Sequence, residues 1–329
     1  MQIRQAVCQV RDVDETIAAF ARQLGVTSIN ITTPPLPTDD GYWTVEDLVG
    51  LKKRCSDLGL VLEVIENTPH HMYDKVMLGL PGRDEQLENY CTTIRNMAAA
   101  DIPILGFHFM PTSVWRTDMA APARGGATAT AYDHSLISEG NKVQWPADTG
   151  ELRLSAEQMW SNYQVFLDAV LPVADEVGLK LAQHPDDPPV DSIDGFARIF
   201  TSPENFKRAH KLANGSPAWG LDLCLGTVSE MVGGAAAVEE MIGYFGPLGK
   251  IRYVHFRDVQ GTVPAFQECF IGEGNYDPPT VIRQLLDVGF DGWLQDDHVP
   301  NMTDDTRYGH RSRAHAIGYI QGVLAALDR

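Results

Sequence analysis

The chain has 329 residues, of which 44% are hydrophobic and 21% charged, enough apolar material for a sizeable globular core. Its formal net charge is −18. That balance repels phosphate backbones and anionic lipid, so nucleic-acid and membrane partners are not expected. It leaves a small anionic substrate open, because one metal ion or arginine outweighs the global field at short range. The five cysteines, Cys8, Cys55, Cys91, Cys224 and Cys269, are scattered and odd in number, which suits a reducing cytoplasm better than a disulfide framework. The opening Met1-Gln2-Ile3-Arg4 runs straight into a strand-like segment, so no leader is expected.

Short β-branched runs alternate with longer helical patterns from end to end. The predicted strands are 3–10, 26–32, 60–66, 102–109, 179–183, 218–224, 251–256 and 292–297. Helical periodicity is clear over 14–24, 45–58, 86–100, 156–177 and 279–288, with a last helix from about Arg313. Thr44-Val-Glu-Asp47 and Ser155-Ala-Glu-Gln158 are capping-box starts. Gly25, Gly59, Gly178 and Gly289 are C-terminal stops that lead into the next strand. Eight such units predict a parallel (β/α)8 TIM barrel, read as a single domain over 1–329. An open doubly wound sheet is the weaker reading, since no glycine-rich dinucleotide fingerprint follows a strand. The irregular stretch 110–154 follows the fourth strand on the active-site face, where a lid or insertion is expected.

In this fold, reacting groups sit at the C-terminal ends of strands. The fifth strand ends in Gln183-His184-Pro-Asp-Asp-Pro-Pro189, the sixth in Gly220-Leu-Asp-Leu-Cys224, the seventh in Val254-His255-Phe-Arg-Asp258 and the eighth in Leu294-Gln-Asp-Asp297-His298. Alone, each has an ordinary explanation. A strand-end His is often a packing residue, Cys224 a small buried hydrophobe, and Asp297 or Asp186 a turn cap. Four adjacent strands delivering His184, Cys224, His255 and Asp297 to one rim point instead to a divalent metal site. Zn, Fe(II), Mn(II) and Co(II) all suit these donors. His298, next to Asp297, is a candidate general acid or base. Arg116 and Arg257 are candidate partners of a substrate carboxylate, each with the alternative of an ordinary ion pair.

His184-Pro-Asp-Asp-Pro-Pro189 resembles the H-P-D-D-P-P signature of mannonate dehydratases. The similarity extends to Val64-Ile-Glu-Asn-Thr-Pro69 with His71, to Phe109-Met-Pro-Thr-Ser-Val-Trp-Arg-Thr-Asp118, to His255-Phe-Arg257 and to Phe266-Gln-Glu-Cys-Phe-Ile-Gly-Glu-Gly-Asn-Tyr-Asp277. The resemblance implies a xylose-isomerase-like barrel and a divalent ion, Mn(II) or Fe(II). It implies dehydration of D-mannonate to 2-keto-3-deoxy-D-gluconate in hexuronate breakdown. It places the ligands on His184, Cys224, His255 and Asp297 and the acid/base histidine on His298. Tyr308 stands nearest the family's catalytic tyrosine. Glu66, His71, Trp115, Arg116, Asp186 and Arg257 are expected around a sugar-acid substrate.

The chain departs from the family where R-P-D-H-G becomes Gln295-Asp-Asp-His-Val299, where a histidine pair becomes Thr32-Thr33, and where Arg307 precedes Tyr308. The alternatives are a metal-dependent sugar isomerase or epimerase of the same superfamily, and a non-catalytic sugar-acid binder. A nucleic-acid phosphodiesterase on a related barrel is disfavoured by the acidic balance. The sequence leaves a homo-oligomer open.

Overall fold

A computed structural model describes residues 3–139 and 152–327. Eight parallel strands close into a barrel. In chain order they are Arg4–Val10, Ser28–Thr32, Val61–Glu66, Ile104–Phe107, Lys180–Gln183, Trp219–Cys224, Ile251–His255 and Trp293–Gln295. The first pairs with the eighth, Arg4 opposite Trp293, which closes the ring. The strands coincide with the predicted runs but stop short of several predicted ends. In particular the eighth ends at Gln295, so Asp297 lies in the loop beyond it with a left-handed φ of 47°.

The helices form where apolar periodicity and caps coincide. Ser155 accepts from the Gln158 N–H while its own N–H donates to the Gln158 side chain, starting the long helix Ala156–Val177. The buried faces of the helices pack on the outside of the barrel in one continuous core. Inside the barrel lies a separate apolar layer of Ala6, Val64, Ile104, Ala182, Tyr253 and Trp293. Gly106 is required there, because a Cβ would overlap the Tyr253 hydroxyl. The side chains of Glu66, Asp222, His255 and Gln295 form a buried polar group in contact with one another, leading up to the open rim.

The expected lid segment is more ordered than its composition suggests. Asp118–Pro122 and Thr128–Asp133 form an antiparallel hairpin, which joins a second hairpin, Asp258–Thr262 and Ala265–Cys269, that follows the seventh barrel strand. The four strands make one sheet, its inner side packed through Trp115, Tyr132, Val190, Ile193 and Phe266. Glycine and threonine clusters hide this pairing in the sequence, because its partner strands lie more than a hundred residues away. The 140–151 portion of the predicted lid lies outside the described residues.

Candidate metal centre and active site

Cys224 and His255 are register partners on neighbouring strands, and His184 follows the next strand round. Donor atoms of His184, Cys224 and His255 all lie within 4.8 Å of one another. Asp297 completes the group, with Oδ2 3.8 Å from the Cys224 sulfur and 3.7 Å from His255 Nδ1. Asp297 holds its place through three contacts. Gln9 Nε2 donates to Oδ1 at 2.8 Å, Arg257 Nε stands 3.5 Å from Oδ2, and Arg313 Nη1 donates to the backbone carbonyl at 2.8 Å.

Electrostatics shows what this group lacks. Burial alone would raise the Cys224 thiol, but the Arg257 charge and the neighbouring His184 and His255 rings bring it down to about 5. Burial opposes charge on His184, yet Asp222 and Cys224 push its imidazole up to about 9. His255 is pushed up in the same sense, against burial, by Asp222, Glu66 and Asp297. Burial works against ionised Asp297 too, but His298, His255 and Arg257 hold it well below the usual carboxylate range. A cluster that keeps its thiol and carboxylate ionised while drawing protons onto its imidazoles is short of positive charge. His255 Nδ1 is buried without a hydrogen-bond partner and faces Asp297. Its Nε2 is 3.1 Å from Glu66 and 3.3 Å from Asp222, so those carboxylates can orient the ring from behind. These residues fit a divalent cation bound by one thiolate, two imidazoles and one carboxylate.

Above the donor group is a cavity of about 150 Å³ lined by Gln9, Thr32, Glu66, Asn67, His108, Met110, Ser113, Val114, His184, Asp187, His255, Asp297 and His298. Thr32 Oγ1 and Asn67 Oδ1 are buried there without partners. His298 stands at the mouth, its side chain one-third exposed, with Nδ1 2.8 Å from Glu268 Oε1 and Nε2 3.8 Å from Asp297 Oδ1. Burial would lower its basicity, but Asp297 and Glu268 raise it.

The other expected contacts are distributed differently. Glu66 lines the cavity from the barrel interior. Of the paired aspartates it is Asp187, not Asp186, that reaches the lining; Asp186 accepts from the Ile199 and Phe200 N–H groups and anchors that loop. Arg116 is not free for a substrate carboxylate. It is buried, bidentate to Asp187 at 2.5 and 2.8 Å, and bonded to Glu268 at 2.9 Å. Arg257 is likewise committed, to Glu268, Asp187, Glu230 and Thr227. Gly226 makes room for it, since a Cβ there would overlap Arg257 Nε. Trp115 packs under the accessory sheet rather than on the cavity. His71 is exposed and meets Thr38, whereas His108, partnered by His70 at 3.2 Å, lines the cavity. Tyr308 points elsewhere, its hydroxyl donating to the Cys8 carbonyl at 3.0 Å. Gln9, Asn67 and His108 escape sequence reading, and Thr32 is noticed there only as a departure from the family pattern. Gln9 and Asn67 are common polar residues, and His108 falls inside a predicted strand; only the observed strand ends, at Val10, Glu66 and Phe107, mark them.

The sequence model of the D-mannonate dehydratase (UxuA) family matches residues 11–148 and 150–329. The mannonate dehydratase of Thermotoga neapolitana is 34% identical over 319 residues, covering 87% of each chain. Mannonate dehydratase 2 of Halalkalibacterium halodurans is 33% identical over 317 residues, covering 88% of this chain and 89% of that one. The crystal structure of mannonate dehydratase from Streptococcus suis serotype 2 superposes with a TM-score of 0.86 at 30% identity, covering 99% of this chain and 95% of that one. A xylose isomerase domain protein from Planctomyces limnophilus, 13% identical with a TM-score of 0.63, shares the fold. This chain, a barrel of the xylose-isomerase-like type, belongs to the D-mannonate dehydratase family of hydro-lyases.

Proposed function

We propose that the protein dehydrates D-mannonate to 2-keto-3-deoxy-D-gluconate and water, with His184, Cys224, His255 and Asp297 holding one divalent ion, Mn(II) or Fe(II). The observation that supports this most directly is His298 beside that donor group, tethered through Nδ1 and open to the cavity. The reaction removes the C2 proton, which is only weakly acidic, and expels the C3 hydroxyl. A bound divalent ion supplies Lewis-acid stabilisation of the charge that develops at the carboxylate end. Family membership and the charge deficit of the donor group both favour that ion.

His298 is assigned a proton-transfer step at C2 or at the departing C3 oxygen. Thr32 Oγ1 and Asn67 Oδ1, buried and unpaired in the lining, are assigned to substrate hydroxyls. Tyr308 is given no proton to move, because its hydroxyl is spent on the Cys8 carbonyl. The accessory sheet is proposed to wall the cavity on the side of Asp187 and His298. Among the described residues all five cysteines are free, which suits a cytoplasmic setting, and no helix is long and apolar enough to cross a membrane.

The test is direct. The metal-loaded protein, incubated with D-mannonate, should release a 2-keto-3-deoxy acid. Stoichiometric metal binding without product from D-mannonate or any other aldonic acid would overturn the reading.

A further inference from the structure

We propose that Glu268 is a positioning residue for His298, accepting a hydrogen bond from the Nδ1–H of the imidazole so that the Nε2 lone pair is presented to the substrate. This rests on the proposed dehydratase reading, in which His298 transfers a proton.

Glu268 lies in the accessory sheet, on the strand Ala265–Cys269, and is 3% exposed. One oxygen, Oε1, collects three donors: His298 Nδ1 at 2.8 Å, Arg257 Nη1 at 2.7 Å and Arg116 Nη2 at 2.9 Å. Two guanidinium groups therefore fix the carboxylate before the imidazole meets it. Those groups are themselves fixed, Arg116 by a fork onto Asp187 and Arg257 by Asp187, Glu230 and Thr227. Arg257 Nη1 also lies 3.1 Å from His298 Nδ1. A guanidinium only donates, so Arg257 could bond Nδ1 only in the opposite tautomer; the contacts of Arg257 Nη1 and His298 Nδ1 to Glu268 Oε1, at 2.7 and 2.8 Å, are the shorter ones and favour Nδ1–H. With Nδ1 committed as a donor, a neutral imidazole has its acceptor at Nε2, on the side of Asp297 and the cavity. A base turned to its task by a third group is a recurring catalytic arrangement.

The same geometry gives the accessory sheet a task. Ala265, Phe266 and Gln267 pair with Asp133, Tyr132 and Ala131, so the segment after the fourth barrel strand braces the hairpin that holds Glu268 against His298 in the loop of the eighth. The competing explanation is that Glu268 merely balances the two arginines.

Four proteins separate these: wild type, Glu268→Met, Glu268→Asp and His298→Asn. Glu268→Met removes the acceptor, while Glu268→Asp keeps the charge for the arginines but withdraws the oxygen from Nδ1. Both should lower kcat on D-mannonate by roughly 100-fold, within the range for a misdirected acid/base group. KM and Mn(II) affinity should stay within about twofold of wild type, since neither substrate nor metal is touched. Combined with His298→Asn, the Glu268→Asp change should add no further loss. Losses that multiply in the double variant, or full kcat in Glu268→Asp, would overturn the proposal. Nitrogen-15 spectra of histidine-labelled protein give a reading independent of turnover: His298 should be the Nδ1–H tautomer in wild type and shift toward Nε2–H in Glu268→Asp. An Nε2–H tautomer in wild type overturns the inference even if Glu268→Met fails to fold. Wild type that leaves D-mannonate unchanged while showing the Nδ1–H tautomer fails the dehydratase reading alone.

Discussion

Gln9 Nε2 donates to Asp297 Oδ1 at 2.8 Å, tying the end of the first barrel strand to the loop beyond the eighth. Both residues carry a left-handed φ, 57° for Gln9 and 47° for Asp297, and so do two other cavity residues, Asn67 at 64° and Ser113 at 55°. Each such conformation costs on the order of 1–3 kcal/mol in a non-glycine residue, so the surrounding contacts must impose it. Gln9 keeps Oδ1 engaged while leaving Oδ2 toward Cys224 and His255. Replacing Gln9 by Leu should weaken Mn(II) binding by roughly 10- to 100-fold, the usual effect of losing a residue that orients a ligand. Calorimetric titration of metal into the variant checks this; unchanged affinity would show that Asp297 is held without it.

Arg116 provides a second test, because its burial reverses the expectation drawn from its chemistry. A guanidinium that binds a substrate carboxylate should raise KM when removed and leave the fold alone. In this structure Arg116 instead neutralises Asp187 and Glu268 in the interior. Arg116→Met should therefore cost roughly 3–5 kcal/mol of stability, since it strands buried charge. Urea unfolding measures that loss. A stable variant with a raised KM would restore the substrate-binding role.

What sequence could and could not convey follows from the range of each interaction. The barrel was legible because periodicity, caps and glycine stops are local. The juxtaposition of His184, Cys224 and His255 is legible because the fold puts strand ends on one rim, and Asp297 reaches them from the loop past the eighth strand. Burial and pairing were not legible. Arg116 meets Asp187 across 71 residues and Glu268 across 152, so nothing near it in the chain distinguishes a substrate clamp from an interior tie. The accessory sheet was hidden for the same reason, its two hairpins being separated by half a barrel. Asp186 and Asp187 are adjacent and chemically identical, and only the turn of the backbone sends one to the loop and the other to the cavity.

Thr32 stands where its hydroxyl is buried, unpaired and part of the cavity lining. Thr32→Val keeps the shape and removes the hydrogen bond. If a sugar hydroxyl binds there, KM for D-mannonate should rise by roughly tenfold, the effect of about 1.4 kcal/mol from one unsatisfied polar group. Metal affinity and melting temperature should stay at wild-type values. Steady-state kinetics on the metal-loaded variant decides it, and an unchanged KM removes Thr32 from the substrate contacts.

Tyr308 yields the opposite expectation. Its hydroxyl bonds the Cys8 carbonyl, and Phe20 and His310 pack against its ring. Tyr308→Phe should cost about 1 kcal/mol of stability and leave turnover of D-mannonate unchanged within about twofold. A fall in turnover as large as that of a lost acid/base group, roughly 100-fold, would mean that the ring swings into the cavity during the reaction.

Acid should act on the anchor of the accessory sheet. Burial alone would raise the carboxyls of Asp187 and Glu268. For Asp187 the Arg116 and Arg257 guanidiniums reverse this, and for Glu268 the His298 ring and both arginines do, so each folded value lies below its ordinary 3.8 or 4.5. As pH falls, protons therefore bind the unfolded chain first. The contribution of this pair is complete above about pH 4.5 and is lost as pH drops toward and through the folded values. Urea midpoints for wild type should fall steeply below about pH 4.5. In Arg116→Met the folded values move back toward the ordinary ones, so the same decline should be shallower, though it begins from a lower midpoint. Parallel slopes in the two proteins would show that these carboxylates do not govern the acid limb.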